Sequence, residues 1–70
     1  MTIAAKLTGP AFEAALKSGV RKDSHHSLNK CENAMKRVLE TLGISRREVA
    51  NHVPTYMALR NRICDFAKSL

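Results

Sequence analysis

Apolar side chains along this chain recur every three or four residues, the period of an α-helix that packs on one side. The longest stripe is Leu28, Cys31, Met35, Val38 and Leu42, widened by Ala34 and Leu39. Lys30, Glu32, Lys36, Arg37 and Glu40 fall mostly on its other face. Tyr56, Leu59, Ile63, Phe66 and Leu70 repeat the same spacing. Phe12, Ala15 and Leu16 form a shorter stripe, and Val49 and Val53, with Ala50 beside them, a fourth. No segment alternates apolar and polar residues as a strand would. The pattern predicts an all-α fold, a small three- to four-helix bundle, with helices over about residues 10–18, 28–42, 45–53 and 55–69.

Residues at the ends of these stripes set the boundaries. Pro10 suits a first helical turn, where a missing N–H costs nothing, and Gly19 suits a left-handed C-terminal cap. Glu13 and Lys17 have the spacing of a pair along one helix face. Residues 19–27, GVRKDSHHS, read as a polar loop that ends in Ser27, the cap of the second helix, which Gly43 closes. Ser45 and Glu48 have capping-box spacing, and Pro54 reads as a stop, so the third helix is expected to end at Val53.

Seventy residues make a single domain, 1–70. A chain of this size buries only about 60% of the surface it exposes when unfolded, so its core is small. With Tyr56, Phe12 and Phe66 as the only aromatics, that core is mainly aliphatic. Twelve Lys and Arg against six Asp and Glu leave a net charge of +6. Such a balance favours polyanions: nucleic acid, an anionic membrane or an acidic protein face.

The stretch VLETLGISRREVANHV combines the turn and the charge. Val38 and Leu42 precede a turn at Gly43, Ile44 is placed to plug the gap between helices, and Val49 to pack the next helix back. This resembles the C-terminal helix-turn-helix of the Fis family, over residues 35–53. The family pattern has Ala or Gly where this chain has Leu39, and a buried aliphatic residue where it has His52, for which Val53 stands in. The resemblance implies a DNA-binding transcriptional regulator, with Arg46, Arg47 and Asn51 facing the major groove and Ser45 at a phosphate. Lys36 and Arg37 would contact the backbone. In a second register, GISRREVANHV is similar to the first motif helix of phage-repressor-type proteins, with Ala50 as the small residue and 56–66 as the recognition helix.

The alternative to duplex DNA is a protein partner. A small helical adaptor or inhibitor would use Tyr56, Met57 and Arg60, residue types favoured at interface centres. Two long apolar stripes in so short a chain also suit a homodimer. His25, His26 and Asp23 lack the paired Cys/His spacing of a zinc site, so no metal or cofactor is expected. No Gly-rich phosphate loop and no carboxylate pair suited to acid–base work is present, and no enzymatic activity or small-molecule substrate is expected. Cys31 and Cys64 read as reduced thiols, a disulfide between two helices being the alternative. Without an apolar run long enough for a signal peptide or a membrane span, a cytoplasmic location is expected.

Overall fold

The computed structural model describes residues 6–70, and among these the chain forms four α-helices and no strand. Helix α1 is Gly9–Gly19, α2 is Leu28–Leu42, α3 is Arg46–Ala50 and α4 is Val53–Ser69. The all-α class and the limits of α2 are those the spacing predicts.

Local chemistry accounts for α2. The Ser27 hydroxyl accepts a hydrogen bond from the Lys30 N–H at 3.2 Å, satisfying one of the donors a helix start leaves open. At the other end Gly43 takes φ +70. Its N–H donates to the Glu40 carbonyl at 3.2 Å, and the Ile44 N–H donates to the Leu39 carbonyl at 2.9 Å. This doubled closure needs a left-handed residue, which glycine supplies without strain.

Helix α1 ends differently from the expectation. Gly19 is not left-handed, since only Gly9 and Gly43 have positive φ among the described residues. The helix runs through Gly19, and the Val20 N–H caps it by donating to the Leu16 carbonyl at 2.9 Å. What Gly19 provides is proximity. A Cβ there would lie 3.1 Å from Val38 Cγ2 and 3.2 Å from Arg37 Cβ, so α1 meets α2 almost backbone to backbone. Arg37 Nε donates to the Gly19 carbonyl at 2.7 Å, setting a cation on the negative end of α1. Glu13 does not pair with Lys17. Its carboxylate meets Arg62 of α4 at 2.6 Å, a partner brought into reach by helix packing.

The core draws on every helix: Phe12 and Leu16 from α1, Met35, Val38 and Leu39 from α2, Val49 from α3, Leu59 and Ile63 from α4. The outermost members of two stripes escape it. Leu28 is 55% exposed and Leu70 51%, each at a helix end past the neighbours that would cover it.

The third helix holds five residues rather than nine. The Asn51 N–H donates to the Arg47 carbonyl at 3.0 Å and the His52 N–H to the Val49 carbonyl at 3.1 Å, a tightening that ends the helix early. His52 is extended, and Val53 and Pro54 then open α4 instead of closing α3. Proline suits a first turn as well as it suits a stop, because no intrahelical acceptor awaits its N–H. As a result Val53 is 64% exposed and only Val49 packs inward from this stretch. The Ser45 side chain makes no cap hydrogen bond, so the expected capping box does not form.

Candidate binding corner

Gly43 and Ile44 turn the chain from α2 into α3, and buried Ile44 fills the angle between them as the sequence predicts. Beyond it Ser45, Arg46, Arg47 and Asn51 are all exposed. Arg46 Nη2 lies 3.5 Å from Glu32 Oε2 on α2, with both side chains largely in solvent. A pair of this kind contributes about 0.5 kcal/mol or less. The other Glu32 oxygen accepts a hydrogen bond from the Tyr56 hydroxyl of α4 at 2.8 Å. Glu32 therefore ties three helices together at one point. The same hydrogen bond, with burial second, raises the Tyr56 pKa above its ordinary 10.0.

Lys36 follows Glu32 by one helical turn and is exposed on the same flank of α2. Arg46 and Arg47 form no ion pair with Glu40 or Glu48; the ion pairs among the described residues are Lys30–Asp23, Arg46–Glu32 and Arg62–Glu13. Between α2, α3 and α4 opens a groove of about 270 Å³. Met35, Leu39 and Val49 form its apolar floor, and Arg46, Arg47, Glu32 and Tyr56 stand around it. Leu39, bulky where the helix-turn-helix pattern has Ala or Gly, is buried in this floor rather than excluded from it.

The other residues singled out from the sequence are placed less uniformly. Arg37 is engaged at the end of α1, 2.7 Å from the Gly19 carbonyl, and is half-buried there. Tyr56, Met57 and Arg60 lie along one side of α4 but differ in exposure. Met57 is 42% exposed, whereas Tyr56 is half-buried against Glu32, and half-buried Arg60 faces the Cys31 sulfur. Ala50 is exposed. Glu32 and the groove floor were not foreseen as parts of the site. The signal available in sequence was Glu32 four residues before Lys36, on the flank of α2 that also carries Leu39.

The remaining polar clusters are local. Asp23 pairs with Lys30 at 2.9 Å, and that hydrogen bond holds the Asp23 carboxyl below its usual range. His25 and His26 pack edge to face with ring centroids 4.2 Å apart. No group of three or more His, Cys, Asp or Glu side chains among the described residues is arranged to hold a metal ion. No helix among them is long and apolar enough to cross a membrane. Comparison with known proteins finds no family model, curated protein or solved structure that matches the chain.

Proposed function

We propose that the chain is a non-enzymatic binding protein that engages duplex DNA through the α2–α3 corner, in the manner of a small transcriptional regulator. The observation that carries this reading is the set of exposed side chains there. Lys36, Arg46, Arg47 and Asn51 stand exposed on and beside the two helices that the corner joins. Of the nearby carboxylates, Glu32 pairs with Arg46 at 3.5 Å, while Glu40 and Glu48 are exposed on the same helices. A +6 chain offers such a corner a strong, salt-dependent attraction to phosphates. Five residues of α3 present little length to a major groove, so backbone contact outweighs base reading in this proposal. Arg37, held on α1, has no part in it.

The test is a gel shift with random duplex at two salt concentrations. Binding is expected to weaken at least tenfold between low and moderate salt, and again when Arg46 and Arg47 are both changed to Ala. Binding that survives the double change undiminished would remove the corner from the interface.

A second reading rests on the apolar floor, which a phosphate backbone does not need. Met35, Leu39 and Val49 suit an aliphatic side chain of an acidic protein segment, with Arg46 and Arg47 meeting its carboxylates. Nuclear magnetic resonance separates the two. An acidic peptide bearing a leucine would shift the Met35, Leu39 and Val49 methyl signals, while duplex DNA would shift the arginine signals and leave those methyls in place. Under either reading a twofold dimer is part of the proposal, with exposed Val53 and Met57 as apolar surface for it; light scattering after size exclusion reads its mass directly.

A further inference from the structure

Thirty-three residues apart in sequence, Cys31 and Cys64 are brought face to face by the packing of α2 against α4, with their sulfurs 4.0 Å apart. Both are free thiols. Cys31 is buried among the core residues, and Cys64 is half-buried at the edge of the same cluster. Arg60 lies near Cys31 and acts on it electrostatically.

We infer that Cys31 and Cys64 form a reversible intramolecular disulfide that locks α2 to α4 when the protein meets a peroxide. The inference is independent of what the α2–α3 corner binds. A disulfide bond is about 2.05 Å long, so the sulfurs must approach by roughly 2 Å, a distance within reach of side-chain rotation. Their exposures assign the order of events. Cys64, the more accessible sulfur, attacks one peroxide oxygen as the thiolate, the O–O bond breaks, and Cys64 sulfenic acid and hydroxide result. Cys31 then attacks the Cys64 sulfur, the S–O bond breaks, and water leaves with the Cys31 proton. Two thiols and one peroxide have become one disulfide and two waters.

The position of the pair gives the step its character. Burial, then the neighbouring Cys64 sulfur, raises the Cys31 pKa above its ordinary value of 9.0, while Arg60 acts in the opposite direction. Burial thus disfavours the Cys31 thiolate, and the more exposed Cys64 is the sulfur placed to meet the peroxide first. Cys31 precedes Glu32 in the chain, and Arg60 acts electrostatically on both Cys31 and Tyr56. The cross-link would therefore fix the two helices that form the Glu32–Tyr56 hydrogen bond at the corner.

The experiment treats the full chain with hydrogen peroxide and reads intact mass, a non-reducing peptide map and thermal unfolding. Expected are a mass loss of about 2 Da, a Cys31–Cys64 linked peptide with both cysteines from one chain, no covalent dimer, and reversal by a thiol reductant. The closed loop should raise Tm by about 10 °C or more, since a bridge over some thirty residues restricts the unfolded chain strongly. Single changes Cys31→Ala and Cys64→Ala should abolish both the mass loss and the Tm rise. Oxidation that stops at sulfinic or sulfonic acid, a link only between chains, or a bridged chain whose Tm falls would each overturn the inference. Should the alanine variants not fold, the mass and peptide map of the unmodified sequence decide the question alone.

Discussion

The seam between α1 and α2 and the corner where α3 lies between α2 and α4 are built from the same kinds of residue, yet they behave as opposites. At the seam Gly19 removes a side chain so that two backbones meet, Leu16 and Val38 are fully buried, and Arg37 closes the edge with a 2.7 Å hydrogen bond. At the corner α3 is too short to cover its neighbours, Val53 and Met57 stay exposed, and a groove of about 270 Å³ remains. Close packing at the first place leaves nothing for a ligand to displace. Loose packing at the second leaves apolar floor and charged rim available. A small chain can pack one seam tightly and leave a more open surface at another.

The strongest way to break this contrast is a cavity. Leu16→Ala, at a position with no exposure, is expected to destabilise the protein by about 3 kcal/mol, enough to unfold much of a chain this small. Chemical denaturation gives the number, and a loss under 1 kcal/mol would mean the seam is not where stability resides. Gly19→Ala comes next. Its methyl must displace Val38 and Arg37 from 3.1–3.2 Å, for an expected loss of about 2 kcal/mol, where an open glycine-to-alanine change in a helix would stabilise.

At the corner the effects shrink. Tyr56→Phe removes the hydrogen bond to Glu32 and should cost about 1 kcal/mol. Because the folded-state pKa of Tyr56 is raised, this contribution is complete below the unfolded value near 10.0 and disappears as pH rises through the folded value. Denaturation of the two proteins at pH 8 and pH 11 should therefore show the gap closing at the higher pH. Smallest of all, Val53→Ser at a side chain 64% exposed should change stability by no more than about 0.5 kcal/mol. A larger loss, growing with protein concentration, would instead reveal that Val53 is covered by a second copy.

The legible part of the fold was the part governed by neighbours in sequence. Helix α2 needed only its apolar stripe, Ser27 and Gly43, and all of these act within a few residues of where they stand. Where a residue can serve two local roles, the reading failed. Pro54 fits a helix stop and a helix start equally, and Gly19 fits a left-handed cap and a close crossing equally. The site followed the same rule. Exposure of Arg46, Arg47, Asn51 and Lys36 could be anticipated from helical phase, whereas the diversion of Arg37 to Gly19 and the role of Glu32 between Arg46 and Tyr56 depend on partners far along the chain.

By itself, the sequence determined the helical class, the limits of α2, the Gly43–Ile44 turn and the sign of the surface charge. Each follows from local conformational preference, from apolar spacing or from simple composition. Only the tertiary structure decided which glycine serves closeness rather than curvature, which arginine is engaged, and that two cysteines thirty-three residues apart face each other at 4.0 Å. Those outcomes turn on how helices are laid against one another, and that arrangement depends on all the buried side chains at once rather than on any single stretch.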